Sequence, residues 1–276
     1  MIAGCVKCVV ILLRNVGVMY KWKVCPIQGR QLKDVRKEDI YGDFRVCNTY
    51  RGGGGYDKFP YILANRLSPW RLEKSRGNIA TQFVVQLYGC HLNCPYCYVT
   101  SDGVRGHFKN YTSTQLVMVE FLRAYNKHHC GVFHLMGGSP ALYIEHWHKI
   151  LDILPPIFIF HSDMLLTEKI YPDLSKLRRP NALYAVNIKG VTDEDYYRNT
   201  KTEIDWNLFW SNFDKLVMAG PEFYITFTNP DTKNLDKFKR NLIDRYGDWV
   251  LRDSFVIDLV EYNALKVKVN DNNIKK

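Results

Sequence analysis

The chain has 276 residues, 46% apolar and 24% charged, which excludes a disordered or low-complexity polypeptide and leaves room for one large α/β domain. Eight cysteines in that length exclude a disulfide scaffold, and their clustering suits reduced thiols in the cytosol. The net charge of +10 is concentrated in residues 1–80, where 15 Lys/Arg face 6 Asp/Glu; the remainder holds 23 against 22. That asymmetry points either to an acidic protein or RNA partner for the leading segment or to a solvated basic surface.

The first apolar run, Cys8 to Leu13, is followed at once by Arg14. It is too short to span a bilayer, and no small-residue cleavage pattern follows, so neither membrane insertion nor secretion is expected. Met19 opens "MYKWKVCPIQGR", which reads like a natural beginning, and residues 1–18 are read as either native or a misassigned upstream extension. Residues 1–80 carry no clean periodicity and are expected to form a basic, aromatic-rich extension. Tyr20, Trp22, Tyr41, Tyr50, Tyr56, Tyr61 and Trp70 are interleaved with its cations. Such rings either cover the open side of a partial barrel or stack on exposed RNA bases. "RGGGGYDKFP" (Arg51 to Pro60) is read as a connector, because no Lys-Ser/Thr pair follows the glycines as a phosphate loop requires. A short helix is expected after it, with Ser68 as cap and Pro69 at the first position. Cys5, Cys8, Cys25 and Cys47 are irregularly spaced, and a second metal site among them stays open.

From residue 82 short β-type runs alternate with longer helical ones. Strands are predicted at 82–88, 132–136, 157–161, 183–188, 222–228 and 254–260, and helices near 113–128, 142–153, 166–177, 203–218 and 233–246. Six units of about thirty residues are the βα repeat. Parallel strands with right-handed crossovers follow, and six units are too few to close a barrel of eight. The expected fold class is therefore α/β, a partial (β/α)6 TIM-like barrel over residues 81–264, with a polar tail at 265–276.

Parallel barrels carry their chemistry at the carboxyl ends of the strands, and the unusual residues sort to that end. The first strand runs into "GCHLNCPYC", the second into "GGSP" (Gly137 to Pro140), and the third into "HSD" (His161 to Asp163). The fourth runs into "NIK" (Asn187 to Lys189), the fifth into "TNPD" (Thr228 to Asp231), and the sixth into "EYN" (Glu261 to Asn263). Cys90, Cys94 and Cys97 are one thiol short of a closed four-ligand site. Three thiolates hold three irons of a [4Fe–4S] cube and leave the fourth open to a substrate or cofactor. The competing reading is a zinc site completed by His91, His107 or Cys130.

Cys-x3-Cys-x2-Cys with an aromatic residue, Tyr96, before the last cysteine and a strand before the first resembles the radical S-adenosylmethionine (radical SAM) superfamily. The resemblance implies that S-adenosylmethionine chelates the open iron, with Cys90, Cys94 and Cys97 as catalytic metal ligands. It implies reductive cleavage to a 5′-deoxyadenosyl radical that abstracts hydrogen from a substrate, fed by an external flavodoxin- or ferredoxin-like electron donor. "GGSP" resembles the family's GGEP motif, whose backbone contacts the cofactor's amino group; Ser139 replaces the usual Glu, and Gly137, Gly138 and Pro140 match. Asn187 and Lys189 resemble an Asp-x-Lys of the glycyl-radical activating enzymes, with Asn in place of Asp. Lys189 either pairs with the cofactor carboxylate or opens a surface loop at Gly190. Ser162 and Asp163 either hydrogen-bond the ribose or cap the next helix. Three readings of the whole chain follow: a protein-radical activase, an enzyme modifying RNA or a small molecule, and a cluster-binding protein without turnover.

Overall fold

The computed structural model describes residues 20–25, 40–41, 44–48, 81–97, 99 and 110–257. The expected helix at Ser68, the glycine-rich connector, Cys5, Cys8, His107, the "EYN" stretch and the tail lie outside them. Among the described residues ten strands form one sheet: β1 (Lys21–Val24), β2 (Ile40–Tyr41), β3 (Phe44–Asn48), β4 (Thr81–Leu87), β5 (Asn110–Ser113), β6 (Val132–Gly137), β7 (Ile159–Met164), β8 (Ala182–Ile188), β9 (Phe223–Thr228) and β10 (Phe255–Ile257). The helices are α1 (Thr114–His128), α2 (His148–Leu151), α3 (Asp193–Thr200), α4 (Trp206–Ala219) and α5 (Thr232–Tyr246). Among the described residues no helix is long and apolar enough to cross a membrane.

Strands β4, β6, β7, β8, β9 and β10 pair in parallel, in that order. These are the six strands the sequence predicts, and among the described residues the sheet does not close on itself. The other edge of β4 is shared by two antiparallel neighbours: β3 along Thr81–Val84, and β1 at Leu87. β1 continues into a four-residue pairing with β5. "KWKV" at β1 is a strand because its alternation is complete: Trp22 and Val24 are buried, while Lys21 and Lys23 point away from the core. Trp22 also donates its indole N–H to Thr114 Oγ1 at 3.0 Å, tying β1 to the start of α1. Four residues are too few for periodicity to announce them.

Alternation divides the six parallel strands between two faces. Phe83, Val85, Leu87, Phe133, Leu135, Phe160, Tyr184, Val186, Ile225 and Phe227 pack under the helices as the main core. Trp147 stacks on Tyr184 with ring centres 5.7 Å apart; such pairs add about 0.5–1.5 kcal/mol beyond buried area. The opposite, lumen-facing side has a smaller apolar floor of Val132, Ile159, Leu183, Ala185, Tyr224 and Phe255. Polar side chains share this side: His161 bonds the Tyr224 hydroxyl at 2.9 Å, and His134 Nε2 lies 3.8 Å from Asp163 Oδ1.

Three predicted elements need correction, and one helix was missed. β7 starts at Ile159, not 157, because Pro155 and Pro156 open a turn in which the Phe158 amide donates to Pro155 O at 2.9 Å. The strand then runs on through Met164, since β8 offers partners as far as Val186. The helix expected over 142–153 is a 3₁₀ segment (Pro140–His146), broken at Tyr143, followed by the single turn α2. No α-helix forms over 166–177; a 3₁₀ turn at Ser175–Leu177 is the only helical piece there. Instead, buried Asn212 on α4 binds that segment as an amide clasp. It accepts from the Tyr171 amide at 2.8 Å and donates to Leu166 O at 2.6 Å and Lys169 O at 2.7 Å. Pro172, which lacks an N–H, breaks the same stretch. Finally, α3 was not predicted, although Thr192 caps it through the Asp195 amide and three acidic residues fill its first turn.

The Asn212 clasp gives a direct stability test. Asn212→Ala strands one backbone N–H and two carbonyls in the interior, and urea unfolding should show a loss of about 2–4 kcal/mol. A loss under about 0.5 kcal/mol would mean that the clasp does not organise the segment.

Candidate active site

All six parallel strands end at one edge, and the cysteine loop leaves β4 there. Tyr88 is held from both sides: its amide donates to Lys23 O of β1 at 3.1 Å, and its carbonyl accepts from the Tyr143 hydroxyl at 2.7 Å. Gly89 then takes φ +97°, a conformation side chains resist. The Asn93 amide donates to Thr200 O at the end of α3 at 2.8 Å, and the Cys97 amide turns back to Cys94 O at 3.0 Å. Cys90, Cys94 and Cys97 are half-buried along this loop.

The Gly-Gly-Ser turn after β6 lies directly against it. Gly138 donates to Leu87 O at 3.0 Å and Ser139 to Gly89 O at 2.6 Å. A Cβ on Gly138 would sit 2.1 Å from Gly89 O, and one on Gly137, at φ +109°, 2.3 Å from Gln86 Cγ. The first use of these glycines is to let two loops touch. The Ser139 hydroxyl is buried and has no hydrogen-bond partner, which suits a polar group arriving from outside the protein. Pro140 opens the next turn, its carbonyl accepting from the Trp147 indole at 3.2 Å.

Lys189 leaves β8 toward the cysteine loop, not toward open solvent. Its ammonium lies 5.6 Å from the centre of the Tyr96 ring and 3.4 Å from Thr228 Oγ1. The buried Tyr96 hydroxyl faces the Cys94 thiol. Asn187 faces the lumen one register below Lys189 and accepts from Thr226. Asp163 also faces the lumen, half-buried, opposite His134. Ser162 does not. It pairs in register with Leu135 of the main core and donates to Asp163 O at 3.3 Å. Neither residue caps a helix, since none begins at Leu166. The "HSD" stretch is thus part of β7, and only its lumen-facing members can reach a ligand.

Burial pushes the Cys90 thiol up to about 12, with the nearby Glu168 charge adding to the effect. Cys94 is also raised by burial, and the Lys189 cation partly offsets this. Cys25, which follows β1, is buried with Val99 and packs against Cys90 and Cys97; burial raises its thiol too.

Of the three partners considered for a zinc site, Cys130 is turned away from the loop, and His91 meets a carboxylate through one ring nitrogen. His91 Nδ1 lies 2.8 Å from Glu168 Oε2. Cys130 is fully buried, its thiol directed at Ala124 O, 3.8 Å away. Among the described residues no three His, Cys, Asp or Glu side chains gather as one ion would require. Mononuclear zinc needs four donors at about 2.0–2.3 Å. A cube binds each thiolate at a different iron, so three half-buried thiols on one loop beside a buried orphan hydroxyl fit a cluster with an added polar ligand.

Sequence reasoning missed the residues that brace this site. Asn199 on α3 donates to Lys189 O at 2.8 Å, Thr228 O at 3.2 Å and Asn229 O at 3.1 Å. Asp195 accepts from the amides of Val191 at 2.9 Å and Asp231 at 3.0 Å. The capping pattern at Thr192–Asp195 was the available signal. Glu168 and Cys25 carried none.

Two outcomes follow. Gly138→Ala should push the two loops apart and lower iron uptake during reconstitution at least several-fold; full uptake would show that the contact is dispensable. Metal-free protein holds Cys90 and Cys94 protonated near neutrality, and metal binds the thiolate, so loading must release protons and strengthen as pH rises from about 7 toward 9. A dye in weak buffer should register acidification on loading; pH-independent loading would contradict the raised thiols.

Residues 84–242, more than half of the chain, match the Radical SAM superfamily. No curated protein matches the chain in sequence. Among solved structures, Streptococcus suis SuiB bound to its precursor peptide SuiA is similar over 69% of this chain and 46% of that one, at 13% identity and a TM-score of 0.43. SuiB bound to S-adenosylmethionine is similar over 70% and 49%, at 11% identity and 0.45. A cysteine-to-serine mutant of spore photoproduct lyase is similar over 56% and 50%, at 12% identity and 0.39. The chain thus spans about half the length of these structures. By the superfamily match, the chain belongs to the radical SAM superfamily, whose cofactors are a [4Fe–4S] cluster and S-adenosylmethionine.

Proposed function

We propose that Cys90, Cys94 and Cys97 each bind one iron of a [4Fe–4S] cluster, leaving the fourth iron to S-adenosylmethionine. In this reading the chain abstracts hydrogen from a substrate held in the lumen of the open barrel. One observation carries it: the loop with three half-buried thiols packs against the Gly137–Ser139 turn, with Lys189 directed toward it, where six parallel strands end. When bound, the cluster and cofactor supply one-electron reductive cleavage and the power to abstract hydrogen.

The remaining work belongs to the chain. Lys189, steadied by Thr228 and Tyr96, offers its charge to the cofactor carboxylate. The Gly137–Pro140 backbone and the unpartnered Ser139 hydroxyl receive the amino end. Asp163 and Asn187, both facing the lumen, serve the ribose hydroxyls. His134, His161 and Tyr224 line the floor beneath, where exclusion of water protects a reactive species. A protein substrate, as in the activating enzymes, is the finer reading we adopt, on the placement of Lys189 at the end of β8. A flavodoxin- or ferredoxin-like donor supplies the electrons. The basic residues 1–80 offer a contact for an acidic protein or RNA, whose binding should weaken as salt rises.

The test is anaerobic reconstitution followed by a 5′-deoxyadenosine assay with a strong reductant. Wild type should bind close to four irons and release 5′-deoxyadenosine, and alanine at any of the three cysteines should abolish both. A cluster that persists in the triple variant, or a loaded wild type that never cleaves the cofactor, would sink the proposal. Lys189→Ala should keep its iron and bind S-adenosylmethionine about tenfold more weakly, the loss of one charge-assisted contact. Unchanged affinity by calorimetry would return Lys189 to a purely structural role.

A further inference from the structure

The segment after β7, expected as a helix, is instead a fastened strap that meets the cysteine loop at His91. Asn212 clasps it from α4. Thr167 Oγ1 lies 2.7 Å from the Tyr196 hydroxyl of α3. Lys169 donates to Leu142 O at 2.9 Å and Glu145 Oε2 at 2.7 Å, in the segment after the Gly-Gly-Ser turn. In the middle of this strap sits Glu168. Its side chain is 1% exposed, and its carboxylate meets Nδ1 of the 36%-exposed His91, the residue after Cys90, at 2.8 Å. Withdrawing a carboxylate from water is costly, and one contact with a part-exposed ring compensates this only partly. A clasp alone could use a neutral amide at no such cost.

We propose that Glu168 is a positioning residue for the cluster: oriented by His91, its buried carboxylate places a fixed negative charge beside the iron held by Cys90 and keeps the reduction potential low. The proposal rests on the reading of Cys90 as a ligand. Reduction adds negative charge to the cluster, and an anion close by in a low-dielectric setting opposes that addition. Charge and hydrogen bonding around the sulfurs are established controls on cluster potential. A low potential is what delivery of an electron to a sulfonium requires. The rest of the strap holds Glu168 at this position, since its fastenings run to α3, α4 and the turn after β6.

The experiment compares reconstituted wild type, Glu168→Gln, Glu168→Asp and His91→Arg, reading iron content and the midpoint potential by redox titration with electron paramagnetic resonance. Glu168→Gln keeps size and hydrogen bonding but removes the charge; it should hold its iron and titrate at a higher potential. Glu168→Asp should stay near wild type. His91→Arg leaves the carboxylate but sets a permanent cation against it, and should also raise the potential. Full iron with an unchanged potential in Glu168→Gln would overturn the proposal. If that variant loses its cluster, His91→Arg decides: a raised potential supports the charge, and an unchanged one reduces Glu168 to a clasp. A Cys90→Ala protein that keeps an intact four-iron cluster would remove the ligand reading beneath the proposal, an outcome separate from any result at Glu168.

Discussion

The site depends on one backbone contact. The loop carrying the three cysteines lies against the turn after β6, joined by Gly138 to Leu87 O and Ser139 to Gly89 O. The separation is so small that any side chain on Gly138 would collide with Gly89 O. Because β4 and β6 are in-register neighbours as far as Leu87 and Gly137, the two loops leave the sheet side by side. A thiol loop and a backbone edge are thereby presented to one volume.

Other elements hold that contact rather than add to it. Helix α3 anchors the cysteine loop through Thr200 and the loops after β8 and β9 through Asn199 and Asp195. The strap after β7 closes the far side. These braces are buried polar groups with several bonds each, an arrangement that specifies a single geometry at the expense of tolerance to substitution. The lumen below is built differently: an apolar floor, then His134, His161, Tyr224 and Asp163 on the same face. A rigid rim above a mixed apolar and polar floor is the division of labour expected when cofactor chemistry is common and substrate recognition particular.

The six parallel strands were legible because each is a strong β-branched or aromatic run with turn residues behind it. α1 and α5 were legible at nearly their full extents because periodicity and caps agreed. The cysteine spacing was legible without any fold at all. Three things were not. "KWKV" is too short for periodicity and becomes a strand only because β4 and β5 offer edges. Residues 166–171 have helical composition, but Asn212, some forty residues later in sequence, satisfies their backbone in another way; no local pattern records a distant amide. "HSD" read as a strand end because polarity suggests a loop, whereas in an open barrel polar residues also face the lumen from within the strand. The same oversight hid the opposite directions of Ser162 and Asp163.

The central claim is that three thiols hold a cluster with one iron left open to S-adenosylmethionine. Mössbauer spectroscopy of iron-57-reconstituted protein, recorded with and without the cofactor, tests it most directly. One of the four irons should change its isomer shift and quadrupole splitting on cofactor addition while the other three stay as they were. Four irons that ignore the cofactor, or a preparation that takes up a single zinc ion in place of iron, would contradict the account.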